Sequence, residues 1–149
     1  MFLAPLSSRA VDPYLQTLLL RVSLSRLGGK HRHRVNHINA QEAQGAQGVV
    51  LGEFLVSSTL ATVLFESGAS HSFISSSFVD KHNVPTILLK TPLLTRTPEG
   101  DIKCQLGCFR VRINLSGVEF LADLVVLKSK GIDVILGMDW LSLHNGLIG

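Results

Sequence analysis

The chain has 149 residues, of which 46% are hydrophobic and 17% are charged, a composition that indicates one folded globular domain and excludes a largely disordered chain. Its apolar runs are far shorter than the roughly 20 residues that a membrane-spanning helix needs, so no contact with a membrane is predicted. The net charge of +3 is unevenly spread, because residues 1–38 hold six basic side chains and one acid whereas residues 39–149 hold eight basic and ten acidic ones.

Residues 1–48 are predicted to form a basic, largely disordered arm and linker. The stretches "GGKHRHR" and "NAQEAQGAQG" are polar, contain glycine and lack apolar periodicity. The arm has the composition of an organellar transit peptide, but a solvated basic arm with weak contacts to nucleic acid is the favoured interpretation. We interpret His31, His33 and His37 as solvated side chains and not as metal ligands.

The two cysteines, Cys104 and Cys108, are separated by three residues. Two thiolates cannot complete a tetrahedral metal site by themselves, so we interpret them as reduced structural thiols. No positively charged region precedes an apolar stretch as it does in a secretory signal. Both observations favour an intracellular, cytoplasmic location, and no metal or other cofactor is predicted.

The predicted domain begins at residue 49 with β-rich runs. "VVLGEFLV" (49–56) and "ATVLF" (61–65) are predicted to form a hairpin. "SFISSSFVDKH" (72–82) has apolar residues at helical spacing, which predicts a short helix. "PTILLKTPLL" (85–94) must be extended, because its two prolines forbid a continuous helix. "TPEGD" (97–101) has the proline and glycine of a tight turn and predicts a second hairpin.

The second half of the domain continues in the same way. "FRVRINL" (109–115) alternates apolar and polar residues, which predicts a strand with Phe109 in the core, and "VEFLADLVVL" (118–127) predicts another. "VIL" (134–136) is a short buried strand, and the following "MDWLSLHNG" predicts a helix that contributes Trp140 to the core and ends at Asn145-Gly146. About seven strands without β-α-β alternation predict an all-β domain with a closed sheet and one or two short helices.

Glu66 is the residue that this pattern does not explain. It follows three apolar residues in "VLFESGAS" (63–70), and an ionised carboxylate buried without partners is costly. A structural interpretation is that Glu66 caps the next helix. A functional interpretation is that a reaction needs a carboxyl group in an apolar setting.

The order of three motifs favours the functional interpretation. The acid-Ser-Gly-Ala loop, the glycine-containing hairpin and the late "VILGMDW" together resemble the retropepsin-like aspartic proteases. "SGASHSFIS", "FLADLVVL" and "GIDVILGMDWL" are typical of the protease segment of plant long-terminal-repeat retrotransposon polyproteins of gypsy type. The resemblance covers residues 49–149 and implies a small closed β-barrel of the retropepsin type.

The resemblance also implies a function. Retropepsins are homodimers that cleave polypeptides, and each subunit contributes one catalytic aspartate; here Glu66 occupies that position. Ser67 corresponds to the hydroxyl residue that bonds across the two-fold axis, and Gly68 permits the close approach of the two loops. Ala69 is expected to begin the segment that lines the substrate groove.

Two further groups of residues correspond to motifs of the family. Pro98, Glu99 and Gly100 match the flap, a hairpin that closes over substrate. The residues that brace the catalytic loop from below are Ile135, Leu136 and Gly137. Asp139, which follows this brace, is expected to make structural bonds near the subunit interface.

Glutamate in place of aspartate puts the activity in doubt. Our first hypothesis is a retrotransposon-derived aspartic endopeptidase that is impaired by Glu66. The alternative is a non-catalytic dimerisation or peptide-binding module. A third possibility is a non-functional remnant or a fragment of a longer polyprotein.

Overall fold

The computed structural model describes residues 35–43 and 49–148, which form seven strands and three helices. The strands are β1 (Val49–Val56), β2 (Thr59–Glu66), β3 (Phe73–Ser75), β4 (Ile87–Thr97), β5 (Gly100–Leu115), β6 (Val118–Leu127) and β7 (Val134–Leu136). The helices are α1 (Ala40–Ala43), α2 (Ser76–His82) and α3 (Met138–Ile148). None of these helices is long and apolar enough to cross a membrane.

The strands close into a ring. Their order is β1-β2-β7-β3-β6-β5-β4, and β1 also pairs with β5 through Leu55 and Val56. Six strands therefore form the ring, and β4 continues the sheet from β5 as an edge strand. The prediction of an all-β domain with a closed sheet is confirmed, and the ring is compatible with the small barrel that was expected.

Tight turns connect the long antiparallel strands. Ser57 and Ser58 both have positive φ and join β1 to β2 as a two-residue turn, with Val56 opposite Thr59. Pro98 and Glu99 join β4 to β5, so the hairpin predicted at "TPEGD" is confirmed. The turn at Ser57 and Ser58, with positive φ at both residues, matches the right-handed twist of the strands that it connects.

Strand β2 contributes to two apolar clusters because its successive side chains point to opposite faces. Val63 and Phe65 lie in the larger cluster, which Trp140 and Leu141 of α3 complete. Leu64 lies in the second cluster with Phe73 and Ile135. Since β2 is buried on both faces, the position of its last residue, Glu66, is determined by packing on either side.

Residues 35–43 differ from the predicted linker. Val35, Ile38 and Ala43 are buried in the second cluster with Leu64, so this part of the chain packs against the domain. The physical reason is the hydrophobic effect, because packing the few apolar side chains of this polar stretch against the second cluster removes apolar surface from water. The rest of the predicted arm and linker, residues 1–34 and 44–48, lies outside the described residues.

The predicted helix over residues 72–82 is only partly correct. Residues 73–75 form β3 instead, which lies between β6 and β7 in the sheet. Helix α2 begins after Ser75, whose hydroxyl accepts a hydrogen bond from the Ser77 N–H, and it ends at Asn83 in a left-handed conformation. The predicted end of the last helix was also wrong, because α3 continues to Ile148.

Phe109 is not in the core, contrary to the prediction, whereas Trp140 is buried as expected. A register shift between Cys108 and Val111 interrupts the pairing of β5 with β6, and Arg110 there has φ of 57°. This bulge places two residues between the buried Cys108 and Val111 where strict alternation would place one. Phe109 is consequently 50% exposed.

The two cysteines are free and buried, in agreement with their interpretation as structural thiols. Burial raises the pKa of both thiols above the ordinary value, because the apolar surroundings disfavour the thiolate. Cys104 lies near Thr95, with 3.9 Å between its sulfur and the threonine hydroxyl. Both residues fill space in the core.

Candidate active site

The candidate site is the loop that follows β2. Glu66 is the last residue of this strand, and the Ala69 N–H donates a hydrogen bond of 3.2 Å to the Glu66 carbonyl, which closes a tight turn through Ser67 and Gly68. Ser67 and Gly68 are partly exposed, whereas Ala69 is fully buried. A contact between Ala69 and a substrate stays a prediction.

Strand β7 lies beside β2 and leads into a brace beneath the loop. Ile135 pairs with Leu64 and Leu136 with Phe65 in parallel register. The Gly137 N–H donates 3.0 Å to the Ser72 hydroxyl. The predicted brace residues thus lie together under the loop.

Glycine is required at position 137 by close packing. A side chain there would overlap the carbonyl oxygens of Ala69 and His71. The next residue, Met138, donates its N–H to the Ala69 carbonyl at 2.7 Å. The start of α3 and the loop are therefore in direct main-chain contact.

Asp139 has a structural role in the described chain. Its Oδ1 accepts a hydrogen bond of 2.6 Å from the Ser72 hydroxyl and another of 2.6 Å from the Trp140 N–H. Ser72 therefore links the Gly137 main chain to the Asp139 carboxylate. A location of Asp139 near a subunit interface stays a prediction.

Replacing Ser72 with alanine is expected to lower the free energy of unfolding by about 1–3 kcal/mol. The substitution leaves the buried Gly137 N–H without its acceptor and removes a donor to Asp139. Urea denaturation measures the change. The matched control is Thr86→Ala, which removes an exposed hydroxyl just before β4 and for which a change within about 0.5 kcal/mol is expected. Equal losses in both variants would contradict this role of Ser72.

Glu66 is buried, with 1% of its surface exposed. Its Oε2 accepts a hydrogen bond of 3.0 Å from the Asn36 N–H and lies 3.2 Å from His37 Nδ1. Its Oε1 is buried and has no hydrogen-bond partner among the described residues. Burial raises the pKa of Glu66 above its ordinary value of 4.5, and the contacts with His37 and the Asn36 N–H oppose this shift.

This shift predicts that Glu66→Gln is more stable than the parent chain at neutral pH. The pKa of Glu66 is higher in the folded than in the unfolded chain, so the parent loses folding stability as the pH rises through the interval between the two values. Glutamine has no charge to bury, and we expect an advantage on the order of 1 kcal/mol, the scale on which a change in pKa between the unfolded and the folded chain enters folding stability. Urea denaturation across pH measures the difference, which should vanish as the pH falls below the ordinary value of 4.5. An advantage that does not depend on pH would contradict the prediction.

The predicted flap residues lie at the tip of the β4–β5 hairpin. Pro98, Glu99 and Gly100 are all exposed. The Thr97 hydroxyl donates 2.7 Å to the Gly100 carbonyl and accepts from the Glu99 N–H at 3.2 Å. The tip therefore has an ordered main chain while its side chains remain accessible.

The site includes two residues that the sequence did not predict, Asn36 and His37. His37 is not simply solvated as predicted, because its ring contacts the Glu66 carboxylate. A signal was available in the apolar residues Val35 and Ile38, which flank the two polar ones. His31 and His33 lie outside the described residues. Within the described part of the chain, no group of three or more His, Cys, Asp or Glu side chains could hold a metal ion.

The ring of strands, with a buried acid entering a Ser-Gly-Ala loop and β7 bracing that loop, defines an aspartic-protease-like domain. The family model of the retroviral aspartyl proteases matches residues 30–149. The chain therefore belongs to the retroviral aspartyl protease family. The match begins before β1 and includes residues 35–43, in line with their packing against the domain.

One similar solved structure, a retroviral protease, agrees with this fold. The EIAV protease complexed with the inhibitor HBY-793 aligns with 69% of this chain and 91% of its own, at 17% identity and a TM-score of 0.51. The retroviral protease-like domain of Ddi1 from Leishmania major aligns with 64% of this chain and 73% of its own, at 18% identity and a TM-score of 0.47. No curated protein sequence matches the chain significantly.

Proposed function

We propose that the chain is the aspartic endopeptidase unit of a retrotransposon polyprotein of the plant gypsy type. It acts as a homodimer, and its activity is reduced because Glu66 stands in place of the catalytic aspartate. The single observation that supports this proposal is the Glu66 carboxyl group. It is buried at the end of β2, and one of its oxygens lacks a partner in the described chain. A buried acid with an unused oxygen is suited to a second carboxyl group and a water molecule.

Two Glu66 side chains, one from each copy, would form the reactive pair. Two carboxyls at close range cannot both ionise and therefore share a proton, for which aspartic proteases are the standard example. The ionised member takes a proton from a water molecule as the water attacks the peptide carbonyl, and the protonated member donates to the carbonyl oxygen. The tetrahedral diol then collapses: the C–N bond breaks, the carboxyl that took the proton gives it to the leaving amine nitrogen, and the other carboxylate takes back a proton from the diol. The raised pKa of Glu66 supports this assignment, because the pair must hold one proton.

The neighbouring residues have supporting roles in this proposal. Ser67 would bond across the two-fold axis, Gly68 would allow the two loops to approach each other, and Ala69 would begin the wall of the groove. The exposed hairpin tip at Pro98, Glu99 and Gly100 would close over the polypeptide and exclude water. The brace at Ile135, Leu136 and Gly137 would hold the loop in position.

Glutamate limits the activity of such a pair. Its additional methylene group displaces the carboxyl by about 1.5 Å, the length of one carbon–carbon bond, and two-fold symmetry applies this displacement from both sides. A displacement of about 1 Å can reduce a rate about a hundredfold. The chemistry of the group is similar, since glutamate and aspartate differ by about 0.4 in reference pKa.

The test is cleavage of an unfolded polypeptide at mildly acidic pH by the full chain and by Glu66→Ala, each with and without pepstatin. Slow, pepstatin-sensitive cleavage by the parent that is absent from Glu66→Ala supports the proposal. Cleavage that persists in Glu66→Ala would mean that another group, or a contaminant, is responsible.

The alternative function is a non-catalytic dimerisation or peptide-binding module. It is favoured by the hydrogen bonds that already engage Glu66 Oε2 from Asn36 and His37 within one chain. Saturable binding of the polypeptide with no cleavage, together with a dimer in sedimentation equilibrium, would support this alternative. A chain that stays monomeric at tens of micromolar and binds no polypeptide would instead indicate a remnant without either function.

A further inference from the structure

Residues 35–39, here called the strap, cross the face of the domain at Glu66. At one end the Val35 N–H donates 3.0 Å to the Arg96 carbonyl of β4, close to the β4–β5 turn. At the other end Lys130 donates its N–H to the Ile38 carbonyl at 3.0 Å, and Asn39 pairs with Lys130 in parallel register. The strap therefore connects the flap hairpin to the segment after β6.

The ends and the middle of the strap are attached by different forces. Val35 is 1% exposed and Ile38 6% exposed, and both belong to the apolar cluster of Leu64 and Ile135. Between them, the Asn36 N–H and the His37 ring contact the Glu66 carboxylate. Apolar anchors thus hold two polar residues over the acid.

The strap also covers the glycine of the loop. A β-carbon on Gly68 would overlap the side-chain nitrogen of Asn36. Gly68 and Glu66 are the residues through which the proposed pair of loops must meet. While Asn36 lies against them, neither a second copy of the loop nor a polypeptide has access to the carboxylate.

We propose that the strap is an autoinhibitory segment, which occupies the Glu66 site within one chain and must leave it before a second copy can dock there. The proposal rests on the dimeric function proposed above. It gives the chain two alternative partners for the same carboxylate: its own Asn36 and His37, or the loop of another molecule. Loosening the strap therefore favours the dimer.

The experiment uses the full chain and two variants, His37→Ala and Asn36→Pro. The first removes the ring that contacts Glu66, and the second removes the donating N–H, since proline has none. The control is His82→Ala at the end of α2, where the ring contacts Phe78. Sedimentation velocity over a range of concentrations gives the dissociation constant of the dimer, and hydrogen exchange at Ala40 and Lys130 reports whether the strap is attached.

Both strap variants are expected to lower the dissociation constant of the dimer by at least about tenfold, the ratio that corresponds to about 1.4 kcal/mol. Exchange at Ala40 and Lys130 should become faster in these variants, while exchange in the β5–β6 pairing and the behaviour of His82→Ala remain as in the parent. Such a result would support the strap as an inhibitory segment.

Two results would overturn the proposal, and they differ in what they imply for the function. If the parent dimerises as tightly as the strap variants, the strap does not compete, and the dimeric function stands. If every variant stays monomeric although exchange shows that the strap has been released, the competition fails together with the dimeric function. Unprotected Ala40 and Lys130 amides in the parent would also contradict an attached strap.

Discussion

Replacing Glu66 with aspartate is expected to raise the kcat/KM for cleavage of an unfolded polypeptide by at least about a hundredfold. The shorter side chain withdraws each carboxyl by about 1.5 Å and leaves room for the shared proton and the water molecule between two subunits. The measurement compares the full-length parent and variant at mildly acidic pH, with pepstatin sensitivity as the criterion for a carboxylate pair.

Glu66→Gln is the matched control for this gain. It keeps the length of glutamate but cannot ionise, so it should show no pepstatin-sensitive cleavage. Aspartate also reaches less far toward Asn36 and His37, so Glu66→Asp loosens the strap as well as changing the geometry of the carboxyl pair. The His37→Ala variant loosens the strap but keeps Glu66, and it therefore separates the two effects. A parent chain that cleaves as fast as the aspartate variant would show that the site accommodates glutamate.

Replacing Gly137 with alanine is expected to lower the free energy of unfolding by about 3 kcal/mol or more, at the upper end of the cost of overpacking. The new β-carbon would overlap two main-chain oxygens, those of Ala69 and His71. Carbonyl groups of a closed loop cannot rotate away as a flexible side chain can. Urea denaturation followed by circular dichroism measures the loss, and cleavage activity should fall with it because the loop carries Glu66.

Gly52→Ala in β1 is the control for this prediction. The three atoms nearest to a β-carbon at Gly52 would all belong to the ring of Phe54, the first at 2.9 Å, and a side-chain ring can move. We expect this variant to remain within about 1 kcal/mol of the parent, because a strand tolerates alanine as well as glycine. If both variants lose the same stability, main-chain contact at Gly137 is not the cause.

Local pattern was sufficient to predict most of the strands. The apolar run before Glu66, the alternation in residues 111–115 and the Pro-Glu-Gly turn each determine local geometry through residues that are neighbours in the chain. The prediction failed at Phe109 because a bulge depends on the pairing of β5 with β6, which no short window contains. It failed at residues 73–75 because their strand is stabilised by two partners that are distant in sequence.

The residues of the candidate site were also predicted only where they belong to a short contiguous motif. Glu66, Ser67 and Gly68 were predicted because the acid-Ser-Gly-Ala loop is contiguous, and the brace at Ile135–Gly137 because its apolar-apolar-Gly pattern is short and recognisable. Asn36 lies 30 positions from Glu66. The apolar Val35 and Ile38 beside it indicate that this stretch packs against the domain, but not that Asn36 meets Glu66. Asn36 and Glu66 meet because Val35 and Ile38 of the strap pack into the apolar cluster around Leu64.

The sequence by itself determined that the chain is all-β, that an acid ends a buried strand, and that a glycine-containing loop follows, because each of these features is encoded by adjacent residues. Only the tertiary structure decided what faces that acid. Ring closure and burial of Val35 and Ile38 bring the strap over the carboxylate, and such long-range contacts arise from packing of the whole domain.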